Sequence, residues 1–329
     1  MERRVSMADV AAIAGVSGQT VSRVVNDSPR VDPSTRARVE AAMAELGYRP
    51  HRAARALRTG RTHTIGLLVS TLATVGNSRM LQAVADAAAA RGYALTVVTL
   101  AVPADVSRAF ERLREQGVDG VVALNEATAA VRDAAIAPGM RLVVVDSPPD
   151  QRFATVQTAH ADGARLAVEH LLALGHDTVS HVAGPADSYA AAERERGWRD
   201  ALSAAGRTTP GVLRGDWSSV SGAAVGPLLA DSGATAVFCA NDQMALGVLR
   251  ALADRGREVP RDVSVVGFDD VADSAQYRPA LTTVRQDFDA LAERAVARLV
   301  RAIEAGEAGG RDLVPTSLIV RASTAQPRS

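Results

Sequence analysis

Lysine is absent from this chain of 329 residues, so all 37 basic side chains are arginine, and the choice of arginine at any one position carries little information. The single cysteine, Cys239, cannot close an internal disulfide, and with six scattered histidines it cannot build a four-ligand structural zinc site. No metal or other cofactor is expected. Aromatic residues amount to only 3% of the chain. No uncharged apolar run is long enough for a membrane span, and the leading Met-Glu-Arg-Arg-Val-Ser lacks the apolar stretch of a secretion signal. A cytoplasmic protein without a membrane partner is expected.

The chain is rich in what a large core requires, with 47% hydrophobic residues, and its length predicts two or more domains. The net charge of zero hides a division. Residues 1–60 carry ten arginines and six carboxylates, a balance of +4, whereas residues 61–329 carry 27 arginines and 31 carboxylates, a balance of −4. A basic head attracts phosphate in a salt-dependent way, although +4 is also compatible with an ordinary surface.

That head reads as a helix-turn-helix. Ser6 and Asp9 have the spacing of a capping box, Val10 and Ile13 give the first helix an apolar face, and Gly15 supplies the turn. Ser17 caps a second helix that buries Val21, Val24 and Val25 and leaves Gly18, Gln19, Thr20, Ser22 and Arg23 outside. Glutamine suits adenine and arginine suits guanine if such a helix lies in a major groove. A solvated helical hairpin has the same two-helix pattern. Asp32 and Pro33 open a third helix with Val39, Ala42, Met43 and Leu46 at helical spacing, and Gly47 ends it. Residues 48–61 form a basic connector of helix-forming composition, too short to be stable alone; paired with a second copy in a minor groove, it could insert Leu57 as a wedge. A solvated linker is the alternative.

From residue 62 onward, short apolar runs alternate with helical stretches. Ile65–Ser70, Ala94–Leu100, Gly120–Leu124, Arg141–Asp146, Thr178–Ala183, Ala236–Ala240 and Val263–Phe268 read as strands, and the alternation predicts parallel sheets with helices on both faces. Ligands on such sheets sit beyond the carboxyl ends of strands, which directs attention to Ser70, Asp146, Asn241 with Asp242, and Asp269 with Asp270.

Several long words of sequence carry a family resemblance: Gly15-Val16-Ser17, Gln19-Thr20-Val21-Ser22-Arg23-Val24-Val25-Asn26, Val168-Glu169-His170-Leu171, Ala173-Leu174-Gly175-His176, Gly215-Asp216-Trp217-Ser218, Ala240-Asn241-Asp242-Gln243-Met244-Ala245-Leu246-Gly247 and Ser264-Val265-Val266-Gly267-Phe268-Asp269-Asp270. On these the chain is identified as a member of the LacI/GalR family of transcriptional regulators over essentially its whole length. The resemblance implies an all-α helix-turn-helix head (1–47), a hinge helix (48–61) and an α/β core (62–329). That core consists of two doubly wound parallel-sheet lobes like those of periplasmic binding proteins. The lobes are expected at about 62–160 with 290–318 and at about 162–288 with 321–329, joined by crossings near 159–162, 287–291 and 318–321.

The resemblance also implies residues for each ligand. For DNA these are Ser17, Gly18, Gln19, Thr20, Ser22, Arg23, Asn26, His51, Ala54 and Leu57. For an effector in the cleft they are Ser70, Asp146, Arg194, Trp217, Asn241, Asp269, Gln286 and Phe288. Carboxylates and amides suit sugar hydroxyls, an arginine fork spans two oxygens, and an indole covers a pyranose face. Asp146, Asn241 and Asp269 could instead merely close strand ends, and Trp217 could be core. The pattern departs from its resemblance where Thr158 replaces an aromatic residue, Ala190 a serine, and Thr74, Gly76, Asn77 and Met80 a more apolar wall. A galactoside-like small saccharide without an apolar aglycone is therefore expected, and Gly18, where the pattern has a large side chain on the recognition helix, leaves the base preference at that position open.

The implied mechanism is a dimer on a pseudo-palindromic operator, released when effector shifts the lobes. A nucleoid-associated location follows from it. The absence of leucine heptads after the last strand also favours a dimer, with Met80, Leu81, Val84, Leu249 and Leu252 as candidates for its face or for the core. A corepressor-using regulator or an activator of the same fold is the runner-up. A periplasmic sugar-binding protein would lack the head. An enzyme would need Glu126, Asp146, His160, His181 and Asp269 arranged as an acid-base site, yet no nucleophile elbow, phosphate loop or metal spacing accompanies them.

Overall fold

The computed structural model describes residues 5–25, 28–48, 60–100, 106–125, 127, 131, 140–307 and 309–328. The chain separates into two compact units, Met1–His63 and Thr64–Ser329.

The first unit contains α1 (Met7–Ala14), α2 (Gly18–Val25) and α3 (Pro33–Glu45). The Ser6 hydroxyl accepts from the Asp9 amide while the Asp9 carboxylate accepts from the Ser6 amide, so two orphan donors are satisfied reciprocally. Gly15 takes φ 63°, a left-handed turn that lets α1 end and α2 begin within three residues. The Ser17 hydroxyl accepts from the Thr20 amide at 3.2 Å, and Asp32 accepts from the amides of Ser34 and Thr35. The small core gathers Val10, Ala11, Ala14, Val21, Val24, Val39 and Ala42. Ile13, expected on the apolar face, is 48% exposed. The buried stripe of α1 runs through Val10, Ala11 and Ala14, with Met7 packed against it, and Ile13 lies to one side of that stripe.

Among the described residues, the second unit holds two six-stranded sheets. The first has strand order β11-β5-β4-β3-β1-β2, built from β1 (Thr64–Val69), β2 (Ala94–Thr99), β3 (Gly120–Leu124), β4 (Arg141–Val145), β5 (Ala154–Thr158) and β11 (Arg311–Val314). The second has order β12-β10-β9-β8-β6-β7, built from β6 (Ser180–Ala183), β7 (Val212–Arg214), β8 (Ala236–Cys239), β9 (Ser264–Asp269), β10 (Thr282–Arg285) and β12 (Ser317–Ile319). All neighbours are parallel except β10 with β12.

Helices cover both faces of each sheet. On the first, α4 (Val75–Ala90) and α10 (Phe288–Ala305) bury Met80, Val84, Leu291 and Leu299 on one side, and α5 (Val106–Glu115) buries Phe110 and Leu113 on the other. On the second, α6 (His160–Ala173) and α7 (Tyr189–Ala204) bury Leu171 and Trp198 on one face, while α8 (Ser219–Asp231) and α9 (Asp242–Asp254) bury Leu229, Met244 and Leu252 on the other. Met80, Val84, Leu249 and Leu252 are thus core residues, because each closes a sheet face, and they are not available as a face for a second copy.

The chain passes between the sheets three times: from β5 to α6, from β10 to α10, and from β11 to β12. The last passage, expected at 318–321, lies between Val314 and Ser317, because Ser317–Ile319 already pairs with β10. Among the described residues, no helix is long and apolar enough to cross a membrane.

Candidate effector pocket and recognition helix

A cavity of about 490 Å³, its open mouth included, lies where strand ends of both sheets face each other. The first lobe contributes Thr74, Asn77 and Met80 from the start of α4, with Asn125 and Asp146 just beyond β3 and β4. The second contributes Arg194, Trp217, Asn241 and Asp269, and the crossing after β10 adds Gln286 and Phe288. Seven of the eight residues named from sequence are therefore brought together. Ser70 is not among the lining residues: β1 ends at Val69, and the wall beyond it is formed by α4.

Four lining residues have a left-handed backbone although none is glycine: Asn125 (φ 45°), Asp146 (φ 51°), Trp217 (φ 74°) and Asp269 (φ 120°). Asparagine and aspartate tolerate this region, but an indole does not do so readily, so strain is concentrated around the cavity. The Trp217 loop is held by Asn241, whose Nδ2 donates to the Trp217 carbonyl at 3.0 Å. Asn241 Oδ1 accepts from the Met244 amide at 2.9 Å, capping α9. Asn241 thus closes a strand end and lines the cavity at once.

Arg194 is 4% exposed. Its guanidinium lies over the Phe268 ring at 3.8 Å and near the Trp217 ring at 5.4 Å, donates to the carbonyl of Ala240, and stands 3.5 Å from Asp269. Asp269 Oδ1 accepts from Gln286 Nε2 at 2.6 Å. Burial pushes the Asp269 carboxyl upward from the usual range, and the Arg194 charge and the Gln286 hydrogen bond pull it back. Beneath it, burial and then the neighbouring Asp269 charge raise Asp242, which accepts from Ser274 (2.6 Å), Thr283 (2.5 Å) and the Val271 amide (3.0 Å). Asp242 fastens the loop after β9 and strand β10 to the start of α9. Asp146 Oδ1 accepts from the Thr158 amide at 2.8 Å.

The opposite wall is polar as well. Asn77, 2% exposed, donates to the carbonyl of Thr71 at 2.9 Å and accepts from Asn125. Asn125 was not named from sequence; its signal was an asparagine directly after an apolar strand, at a position needing positive φ. Of the acid-base candidates, Asp146 and His160 are neighbours, but His181 is buried elsewhere, stacked on Phe238 at 4.8 Å. Glu126 lies outside the described residues. Among the described residues no cluster of metal-ligating side chains occurs.

On the head, Gln19 and Arg23 are exposed one helical turn apart, Gly18 is exposed beside them, and Thr20 and Ser22 are half-buried. Ser17 is engaged as the cap of α2. Asn26, His51, Ala54 and Leu57 lie outside the described residues.

A two-lobed ligand-binding core of the periplasmic type, preceded by a helix-turn-helix head, defines a ligand-responsive DNA-binding regulator. Residues 6–51 match the bacterial regulatory proteins of the lacI family, and residues 168–324 match a periplasmic binding protein-like domain. The lactose operon repressor of Escherichia coli (strain K12) is 39% identical over 99% of this chain and 92% of its own length. The crystal structure of the lac repressor dimer bound to operator and the anti-inducer ONPF superposes with a TM-score of 0.87 at 37% identity, covering 98% of this chain and all of that one (100%). A complex of the transcriptional regulator CelR with cellobiose reaches 0.73 at 34% identity, covering 97% of this chain and 100% of that one. The chain belongs to the lacI family of bacterial regulatory proteins. It is a DNA-binding transcriptional repressor of that family and not an enzyme.

Proposed function

We propose that this repressor grips a pseudo-palindromic operator in the cytoplasm as a dimer and is released when a small saccharide occupies the cavity between its lobes. The observation that carries this reading is the lining itself. Two carboxylates, an arginine held between aromatic rings, an indole and four carboxamides converge on one space, the donor and acceptor mixture that hydroxyl-rich rings require. The similar proteins, a lactose operon repressor and a regulator in complex with cellobiose, support a sugar. The polar Asn77–Asn125 wall favours a galactoside-like saccharide whose far side also carries hydroxyls over one with an apolar aglycone.

Gln19 and Arg23 are proposed to read base edges in the major groove, with Gly18, Thr20, Ser22 and Ser17 along the same contact. Asn26, His51, Ala54 and Leu57 extend this proposal to the backbone and the minor groove. Release requires that the saccharide bind the two lobe arrangements unequally; a coupling of about 1–3 kcal/mol changes operator affinity roughly 5- to 150-fold. Calorimetry with galactose, lactose, cellobiose and ribose, alongside gel shifts on palindromic duplexes, tests both halves. Heat with a saccharide and loss of the shifted band are expected. A saccharide that tightens the band would make it a corepressor, and binding of only a purine or phosphate metabolite would overturn the sugar reading.

A further inference from the structure

His160 is the first residue of α6, two positions after the end of β5, so it sits on the first passage between the lobes. It is 2% exposed and does not line the cavity. Its Nδ1 accepts from Nε of Arg194 at 3.3 Å, which places the ring N–H on Nε2. That nitrogen stands 3.1 Å from Oδ1 of Asp146 yet is not aligned as a hydrogen bond, and it has no hydrogen-bond partner among the described residues. Asp146 belongs to the first lobe and Arg194 to the second, and Arg194 continues to Asp269 at 3.5 Å. One polar chain, Asp146–His160–Arg194–Asp269, thus links lining residues of the two walls through His160, which does not itself line the cavity.

We propose that His160 is a positioning residue that ties the ligand groups of the two lobes together, so that an effector drawing on Asp146 also sets Arg194. A buried N–H without an aligned acceptor penalises the present arrangement. A rotation of the lobes that brings Asp146 Oδ1 onto the Nε2–H axis removes that penalty, so the imidazole favours the second arrangement once ligand moves the carboxylate. The inference rests on the proposed effector pocket, and a ligand-free measurement separates the two.

The full chain is compared with His160→Gln, which can accept from Arg194 and donate to Asp146, and with His160→Leu, which can do neither. Without ligand, thermal unfolding of Asp146→Asn, Arg194→Gln and the double variant gives non-additive shifts with His160 present and additive shifts with His160→Leu. Additive shifts in both backgrounds overturn the proposal. With the four saccharides above, His160→Leu leaves the effector-free operator affinity within about twofold and reduces the effector-induced change by about tenfold, and His160→Gln restores most of it. An unchanged response in His160→Leu overturns the proposal. If the natural protein answers to no saccharide, the functional reading fails, and the unfolding cycle alone decides the part played by His160. Should His160→Leu not fold, His160→Asn, too short to span both partners, takes its place with the same expected outcomes.

Discussion

Gln157 Nε2 donates to the hydroxyl of Tyr189 across 2.8 Å, joining β5 of one lobe to the first residue of α7 in the other. Gln157 is 1% exposed, and its Oε1 accepts from Arg311 on β11 at 2.6 Å. Burial, then the negative charges of Glu193 and Asp146, push the Tyr189 phenol up to about 12, so it stays neutral in this bridge. Tyr189→Phe removes the acceptor but leaves Gln157 its bond to the Ser147 carbonyl. A loss of about 1 kcal/mol in urea unfolding is expected; no loss would mean that the bridge adds nothing to the lobe contact.

His181 predicts a pH dependence. It is fully buried, its Nδ1–H donates to the Phe238 carbonyl at 2.9 Å, and burial lowers its pKa to about 4. The unfolded chain takes up the proton below about pH 6.5 whereas the folded chain does not. The stability it contributes is therefore complete above that pH and is lost as pH falls from about 6.5 toward 4, to a total of roughly 3 kcal/mol. Urea unfolding at several pH values should show a shallower acid slope for His181→Gln than for the natural protein. Equal slopes would contradict the assignment.

Gly184 gives a mutation aimed at the pocket. A Cβ at this position would meet the Trp217 ring at 2.4 to 2.7 Å, so the indole must move. Gly184→Ala is expected to lower saccharide affinity about tenfold, about 1.4 kcal/mol, while the circular dichroism spectrum is kept. Unchanged affinity would remove Trp217 from the proposed contacts.

The head gives two separable effects. Ser6→Ala breaks the capping box and costs about 1 kcal/mol of head stability without touching the exposed face of α2. Arg23→Ala leaves stability within about 0.5 kcal/mol, since the side chain is exposed, but costs about 1–3 kcal/mol of operator binding. Filter binding at several salt concentrations, alongside thermal unfolding, distinguishes them.

Much of this was legible where one local rule acts alone. The Ser6–Asp9 box, the Asp32–Pro33 start and the Gly15 turn depend on a few neighbouring residues, and they formed as their chemistry requires. Strands with continuous apolar runs, such as Gly120–Leu124, were visible for the same reason. Strands β5, β7, β10, β11 and β12 were not, because short or mixed segments such as Ala-Thr-Val-Gln-Thr and Arg-Asp-Leu-Val have no continuous apolar run and pair only when distant chain segments meet. In the pocket, the family resemblance located Arg194, Trp217 and Asp269, but Asn77 facing Asn125 across 48 residues depends on how α4 meets the end of β3. Ile13 shows the converse: helical spacing marks a face, and the packing of segments distant in the chain decides how much of it is covered.

The most direct test of the account is fluorescence anisotropy of a labelled palindromic duplex with the full-length protein at low salt, titrated with saccharides while pocket occupancy is followed through Trp217. The account predicts tight binding that is lost in step with saccharide occupancy. Retention of the duplex at full occupancy, or failure of the folded protein to hold any palindromic duplex, would contradict it.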